Sequence, residues 1–203
     1  MLQRKCSRLR MVRVINESEG KCLELYQIWW SFIFFCVKIT PMEKRMQIKT
    51  GYLYHIKDDY FKKVNDENIM SNHEYRKKRP TYFTIKDNDI LWFIPLSSKV
   101  DKYQKLLEKK VQKYGTCDSI IIAKIVQDDS AILLQNAFPT LEKYIDHIHM
   151  INGAPAKVGT DLQKEILLKF KRLIKLNDRG IKVFFTDVDK LKQQMLDEIN
   201  GKK

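Results

Sequence analysis

The segment Ile90–Lys99 reads Ile-Leu-Trp-Phe-Ile-Pro-Leu-Ser-Ser-Lys, and the fold of this 203-residue chain follows from it. Its length and its content of β-branched and aromatic residues predict a strand that is buried on both faces. Because proline has no N–H to donate to a neighbouring strand, Pro95 predicts the end of the strand or an edge position. Ser97, Ser98 and Lys99 would then emerge into solvent, where hydroxyl and ammonium groups can bind a phosphate.

The composition indicates a globular protein with a polyanionic partner. The chain has 38 Lys and Arg against 25 Asp and Glu, a net charge of +13. This excess favours a nucleic acid or an anionic membrane surface, and it leaves open a basic protein without such a partner. The four cysteines, at positions 6, 22, 36 and 117, include no Cys-x-x-Cys pair, which argues against a disulfide scaffold or a zinc site and fits a reducing cytoplasm.

Residues 1–41 differ from the rest of the chain. Several arginines precede the apolar run Tyr26–Val37, as in a signal peptide or an anchor. The run is shorter than the roughly 20 residues that a membrane span needs. We favour a third interpretation, in which the chain starts at Met42 or Met46, because the pattern of a globular protein begins near Ile48. We therefore expect one domain at 42–203 and an extension at 1–41 outside the fold.

Hairpins dominate the predicted secondary structure. Asp87-Asn88-Asp89 is a turn signal that joins strands Thr81–Lys86 and Ile90–Leu96. Without a regular alternation of strands and helices, the pattern indicates an α+β fold with a mainly antiparallel sheet. Residues 65–78 are predicted to be a solvated loop, and Leu141–Ile151 stays open between helix and strand. Further strands are expected at 51–56, 119–126, 131–135 and 181–185, and helices at 58–64, 101–114, 161–176 and 187–199.

Familiar catalytic motifs are absent from the sequence, including the phosphate-binding and dinucleotide-binding glycine loops and the zinc-protease helix. His147 and His149 would share one face of a strand and could hold a metal. No carboxylate or third histidine stands at a convincing spacing, so surface histidines are the better interpretation and no metal is expected. His55 is a candidate base, with an ordinary imidazole pKa near neutrality.

The remaining candidates each have a structural alternative. Tyr60 is either a catalytic hydroxyl or a core aromatic residue, and Arg79 either a phosphate ligand or a salt-bridge partner. Ser97 and Ser98 either bind phosphate or cap the helix that follows them.

Four stretches of the chain form a recognisable set. They are Tyr54-His-Ile-Lys-Asp-Asp-Tyr60, Arg79-Pro80-Thr-Tyr-Phe-Thr-Ile85, Ile94-Pro-Leu-Ser-Ser-Lys99 and Leu133-Leu-Gln-Asn-Ala-Phe-Pro139. In their order and spacing they resemble the ToxN/AbiQ family of type III toxin–antitoxin toxins, and most of all its CptN-like branch. The resemblance covers the chain from about Lys49 to the last helix.

This resemblance implies a metal-independent endoribonuclease with no cofactor. It also implies a strongly bent, compact and barrel-like sheet akin to the MazF/Kid toxins, with packed helices and a helical C-terminus. The partner would be a small repeated RNA antitoxin whose pseudoknots block the active site in a closed toxin–RNA oligomer. Cleavage of cellular RNA in the cytoplasm would arrest growth and serve phage defence by abortive infection, or plasmid maintenance.

The family roles transfer only in part. Ser98 matches the most important hydroxyl, and Ser97 replaces a threonine, so both would donate hydrogen bonds to phosphate oxygens. Tyr60 would orient the phosphate or share proton transfer. Lys99 would add positive charge at the phosphate, although it stands where the family has proline, one residue before the family lysine. Arg79 would supply the charge of a second family lysine, whose place Thr81 occupies.

RNA binding would extend beyond these groups along a basic groove with aromatic residues for base stacking. The expected RNA contacts are Tyr54, His55, Lys57, Arg76, Lys77, Lys78, Thr81, Tyr82 and Lys164. Two alternatives stay open: a non-catalytic basic RNA-binding protein, and a membrane-surface protein anchored by Tyr26–Val37.

Overall fold

The computed structural model describes residues 47–74 and 76–201. The expected extension at 1–41 and the start at Met42 or Met46 therefore lie outside the described residues. The helices are α1 Asp58–Val64, α2 Val100–Tyr114, α3 Thr160–Asp178 and α4 Val188–Ile199. The strands are β1 Leu53–Ile56, β2 His73–Glu74, β3 Lys77–Lys78, β4 Thr81–Asp87, β5 Ile90–Ser97, β6 Ile120–Ile125, β7 Asp128–Leu133, β8 Phe138–Leu141, β9 Ile145–Ile148, β10 Met150–Ile151 and β11 Ala154–Pro155.

Strand β5 is the centre of an antiparallel sheet. All eight of its residues are buried, which confirms a strand covered on both faces. It pairs with β4 through the predicted hairpin, whose turn places Asn88 at a positive φ of 54°. The main sheet runs in the order β6-β7-β5-β4-β1-β9, with β8 added beside β5. The α+β fold with a mainly antiparallel sheet is therefore confirmed.

Pro95 lies inside β5, so the prediction that it ends the strand is wrong. On one side β5 pairs with β8 through Ile90–Phe93 and then with β7 through Leu96 and Ser97. The Leu96 N–H donates to Pro80 O on the β4 side at 3.1 Å. Since successive N–H groups of a strand point to opposite sides, the nitrogen of Pro95 faces the gap between β8 and β7. The missing donor thus falls where β5 changes partner.

The sheet is open rather than barrel-like. Its two end strands, β6 and β9, do not pair with each other in the part of the chain that the structure describes. Among those residues no helix is both long and apolar enough to span a bilayer.

The core packs against both faces of β5. Phe93 contacts Tyr54 and Phe83 with ring centroids 6.0 and 5.3 Å apart. The next residue toward the hairpin, Trp92, lies on the other face and packs on Phe170 of α3 at 5.6 Å. Successive side chains of β5 point to opposite faces, and both faces are buried. The strand therefore needs an uninterrupted apolar run. Helix α2 covers a separate cluster formed by Tyr103, Cys117, Ile120, Ala131 and Leu133.

The helices expected from their periodicity are confirmed, whereas one strand is not. Gly115 ends α2 in the left-handed conformation with φ 77°, as predicted. Residues 181–185 form no strand. Their neighbour Gln135 lies in a 3-10 turn, and its carbonyl accepts one hydrogen bond, from the Phe185 N–H at 3.0 Å, which does not make a strand pair. The ambiguous segment 141–151 forms a 3-10 turn followed by β9 and β10.

The loop predicted at 65–78 is less solvated than expected, since it contains the β2–β3 hairpin and the buried Asn72. The Nδ2 group of Asn72 donates to Ile56 O at 3.0 Å and to Asp58 Oδ1 at 2.7 Å. These bonds fix the loop to the end of β1 and the start of α1.

Tyr60 belongs to the core. Its side chain is 0% exposed, and its ring stacks on Phe138 with centroids 5.3 Å apart. The hydroxyl donates to Pro139 O at 2.7 Å, and burial raises its pKa. A phosphate in solvent cannot reach this hydroxyl in the folded protein, which corrects the expected catalytic role and supports the structural alternative.

We predict that Tyr60→Phe lowers the free energy of unfolding by about 1–3 kcal/mol, because the buried Pro139 carbonyl loses its donor. Urea denaturation measures the change. Tyr114→Phe is the matched control: Tyr114 is 67% exposed, so the same atom is removed from a solvated side chain and the free energy should stay within about 0.5 kcal/mol. Equal effects of the two variants would contradict the assignment of Tyr60 to the core.

Candidate active site

An open groove of about 560 Å³ lies at the C-terminal end of β5. The β2–β3 hairpin, the start of β7 and the residues after β9 form its other walls. It therefore collects side chains from segments that are distant in the sequence. Its polar lining consists of Glu74, Lys77, Lys78, Arg79, Ser97, Ser98, Asp128, Asp129, Ser130 and His149.

Ser97 and Ser98 differ in how they are held. Ser97 is buried, and its Oγ donates to Glu74 Oε1 at 2.9 Å and accepts from the Lys99 N–H at 3.2 Å. Ser98 is exposed, and its backbone is held at two points: its N–H donates to Glu74 Oε2 at 3.3 Å, and its carbonyl accepts from the Val100 N–H at 2.9 Å. Neither hydroxyl caps α2, whose N-cap residue is Lys99 and makes no side-chain capping bond. The Ser98 hydroxyl is therefore presented to the groove on a fixed backbone.

Arg79 is a buried structural cation at the base of the groove. Its Nη1 donates to Glu74 Oε2 at 3.1 Å and to Leu96 O at 2.6 Å, and its Nε donates to Ser71 O at 3.0 Å. The side chain is only 8% exposed, so the guanidinium acts on the groove mainly through Glu74 and the end of β5. These contacts agree with the interpretation of Arg79 as a salt-bridge partner.

Glu74 is the residue that sequence reasoning missed. One carboxylate accepts from the Ser97 hydroxyl, the Ser98 N–H and the Arg79 guanidinium. A signal was present, because Glu74 is the sole acidic residue in the basic run 73–79. Because these three donors all bind the one carboxylate, Glu74 fixes the backbone at the end of β5.

The basic side chains of the β2–β3 hairpin border the groove. Lys77 and Lys78 line it, and Arg76 is exposed at the hairpin turn with φ 66°. Lys78 donates to Asp146 Oδ2 at 2.6 Å, and this hydrogen bond raises the pKa of Lys78. Lys99 is exposed at the start of α2 and does not line the groove.

Three histidines meet beside the groove, two of them from β1 and β9. His55 Nε2 and His149 Nδ1 are 2.8 Å apart, and the His55 ring stacks on that of His147 with centroids 4.6 Å apart. The surface interpretation holds for His147, whose side chain is 58% exposed, but not for the half-buried His149. In the described part of the chain, no His, Cys, Asp or Glu cluster has a geometry suited to a metal ion.

The pKa of His55 departs from the expected neutral value. Burial is the largest cause, followed by the neighbouring His149 and His147, and together they lower it to about 4. Burial and His147 also lower the pKa of His149. Both rings are therefore neutral near pH 7.

The other expected RNA contacts lie outside the groove. Tyr54, Thr81 and Tyr82 are buried, with the Thr81 hydroxyl donating to Tyr54 O at 2.9 Å. The expected base stacking by Tyr82 and RNA contact by Tyr54 are therefore corrected to core packing. Lys57 donates to Lys143 O at 2.8 Å, and Lys164 on α3 pairs with Asp161 at 3.1 Å.

A scan against protein-family models and a search of curated protein sequences found no match. The fold is similar to solved structures. AbiQ, a lactococcal anti-phage endoribonuclease of the type III toxin–antitoxin system, aligns with a TM-score of 0.59 and 15% identity over 76% of this chain and 100% of its own. A bacterial type III system whose toxin is selectively inhibited by a non-coding RNA pseudoknot provides a second match, with a TM-score of 0.56 and 14% identity over 74% of this chain and 98% of the matched chain. These matches confirm the ToxN/AbiQ fold.

The histidine pair predicts a loss of stability in mild acid. The pKa of His55 is about 4 in the folded protein and near 6.5 in the unfolded chain. Between these pH values the unfolded chain binds a proton that the folded chain excludes. The stability of the folded protein that depends on neutral His55 is therefore complete above about pH 6.5, and it is lost as the pH falls to about 4. Urea unfolding across this range should show a shallower pH dependence for His55→Gln, and equal slopes would contradict the prediction.

Removing the Glu74 carboxylate should leave the buried Arg79 guanidinium without its ionic partner. We expect Glu74→Ala to lower the free energy of unfolding by about 3 kcal/mol or more. Chemical denaturation measures this change. Glu142→Ala, which truncates an exposed glutamate, is the control and should change stability by less than about 0.5 kcal/mol. A Glu74 variant as stable as its control would show that the carboxylate does not organise the groove.

Proposed function

We propose that this protein is an endoribonuclease toxin of a type III toxin–antitoxin system. The observation that carries the proposal is the exposed hydroxyl of Ser98 at the end of β5, in a groove lined by Lys77 and Lys78. The groove is built on a fold that AbiQ, a lactococcal anti-phage endoribonuclease, also has.

In the proposed reaction an RNA strand lies in the groove with one phosphate beside Ser98. The ribose 2′-OH attacks this phosphate, the bond from phosphorus to the 5′-oxygen breaks, and a cyclic phosphate and a free 5′-OH result. Negative charge builds up on the phosphate oxygens in the transition state. The Ser98 hydroxyl and the lysine ammonium groups would stabilise it. The nucleophile belongs to the substrate, and we propose that no metal ion is required.

The chemistry assigns different tasks to the two serines. Ser98 would donate directly to a phosphate oxygen, because its hydroxyl is exposed. Ser97 would support the loop, because its hydroxyl is already engaged with Glu74 at 2.9 Å. Arg79 would act in the same indirect way, through its bonds to Glu74 and Leu96.

We further propose that a small repeated RNA antitoxin inhibits the protein by covering this groove in a closed toxin–RNA assembly. The second matched structure, in which a toxin is inhibited by an RNA pseudoknot, supports this proposal. Net charge of +13 suits either RNA as a partner. The toxin domain would be 42–203, and cleavage of cytoplasmic RNA would arrest growth and serve phage defence.

The decisive variant is Ser98→Ala in the full chain. Because Glu74 holds the backbone of Ser98 and not its side chain, the substitution should leave stability within about 0.5 kcal/mol. We expect it to lower the rate of RNA cleavage about 100-fold or more and to abolish toxicity in a bacterial host. Cleavage is measured on purified RNA with EDTA present, by scoring cyclic-phosphate ends.

Ser130→Ala is the matched control, since Ser130 lines the same groove from β7. It should cleave and inhibit growth like the wild type. Undiminished activity of Ser98→Ala would refute the role of its hydroxyl. A wild-type protein that binds RNA with no cleavage would instead favour the non-catalytic RNA-binding alternative.

A further inference from the structure

We infer that His149 is the general base that takes the proton from the ribose 2′-OH, and that His55 is the residue that positions it. This inference rests on the proposed ribonuclease function and names a group for the proton transfer that the function requires. The observations are the place of His149 in the groove wall and its contact with His55.

The sheet brings the two rings together across β1 and β9. His149 follows β9, and its N–H donates to Leu53 O at 2.8 Å, so its backbone is fixed beside β1. Its Nδ1 lies 2.8 Å from His55 Nε2. Because Nδ1 is engaged there, Nε2 is the nitrogen that His149 can offer to a molecule in the groove.

The contact between two imidazoles requires that one nitrogen donates and the other accepts. In the tautomer that suits catalysis, His149 Nδ1–H donates to His55 Nε2, and His149 Nε2 carries a free lone pair. Neutral His55 then carries its own proton on Nδ1, which is buried and has no hydrogen-bond partner among the described residues. When Nε2 takes a proton, the bond from Nδ1–H to the neutral His55 strengthens, because its donor becomes charged. His55 is buried, so the packing around its ring holds it in the orientation that makes this bond.

Other groups of the groove suit this task less. Both oxygens of Glu74 already accept hydrogen bonds, from Ser97 on Oε1 and from Ser98 and Arg79 on Oε2. The lysines are cations with no lone pair to offer. Asp128 and Asp129 are exposed at the rim, where solvent surrounds their carboxylates.

The charges around the pair favour the neutral base. Burial, and then His147, lower the pKa of His149, and the nearby Lys78 acts in the same direction on His55. Asp146, which pairs with Lys78 and lies 3.4 Å from His147, opposes them. His149 is therefore unprotonated at pH 7 and ready to accept a proton.

The proton of the 2′-OH moves to His149 Nε2 while the bond from the 2′-oxygen to phosphorus forms. The bond from phosphorus to the 5′-oxygen breaks, and that oxygen takes a proton from water in the open groove. His149 then returns its proton to solvent.

The test compares His149→Gln with His147→Gln in the full chain, under single-turnover conditions on a defined RNA and across pH 4–8. His149→Gln should lower the cleavage rate by about 10²–10⁴ and remove the fall in rate on the acidic side. His147→Gln is matched in chemistry but does not line the groove, and it should keep the rate at pH 8 within about threefold. Because His147 lowers the pKa of His149, its removal should move the acidic fall to higher pH.

A second substrate separates a base from an acid. In RNA whose 5′-bridging oxygen is replaced by sulfur, the leaving group needs no proton. His149→Gln should still be slow on this RNA if His149 is the base. Wild-type rates on it would overturn the assignment, and so would normal cleavage of ordinary RNA by His149→Gln.

Failure of the inference and failure of the function are distinguishable. Cleavage by both the wild type and His149→Gln would overturn only the role of His149 as the base. A wild type without cleavage would overturn both the proposed function and the role of His149. If His149→Gln does not fold, the acidic fall of the wild-type rate is compared with the ring titration of His149 followed by NMR. Agreement supports the inference, and a mismatch overturns it.

Discussion

The groove depends on one buried ion pair, that of Glu74 and Arg79. The guanidinium binds the carboxylate at 3.1 Å and the Leu96 carbonyl at 2.6 Å, so it joins the β2–β3 hairpin to the end of β5. The carboxylate in turn holds the Ser97 hydroxyl and the Ser98 backbone. Each charge is desolvated, so neither is tolerated without the other. Breaking the pair therefore lowers the stability of the protein. The intact pair fixes the position of the Ser98 hydroxyl, which the proposed chemistry needs.

Strand β5 links this pair to the core. Its first residues pack between the aromatic cluster and α3, and its last two pair with a different strand from those before Pro95. Because the partner changes at Pro95, β5 extends past the region covered by β8 and carries Ser97 to the groove. The rigidity of the core is thus transmitted to Ser97 and Ser98, the two residues at the end of the strand. This explains why an uninterrupted apolar run and a pair of serines stand next to each other in the sequence.

Local pattern predicted the local structure well. The Asp87-Asn88-Asp89 turn and the periodic helices depend on neighbouring residues, and the structure has them. What the sequence could not predict depends on partners far along the chain. A proline in an apolar run predicts a strand end, whereas the change of partner from β8 to β7 at Pro95 is a tertiary event that the sequence does not show. A motif does not say which way a side chain points, so it allows a catalytic role for Tyr60 that its burial rules out. The contact between His55 and His149 spans 94 residues and exists only through the register of β1 with β9.

In the proposed function, the charges around the groove would serve two purposes that are usually in conflict. The groove has the cations Lys77 and Lys78 in its lining. In the proposed function these cations would bind RNA, whereas the base that acts there must be neutral at the same pH. A carboxylate beside the histidine would favour the protonated imidazole. Here Asp146 is held by Lys78 at 2.6 Å, and burial and neighbouring histidines act on His55 and His149. Lys78 disfavours a positive charge on the His55 imidazole. In the proposed function, the same electrostatic field would therefore hold the substrate and keep its base unprotonated.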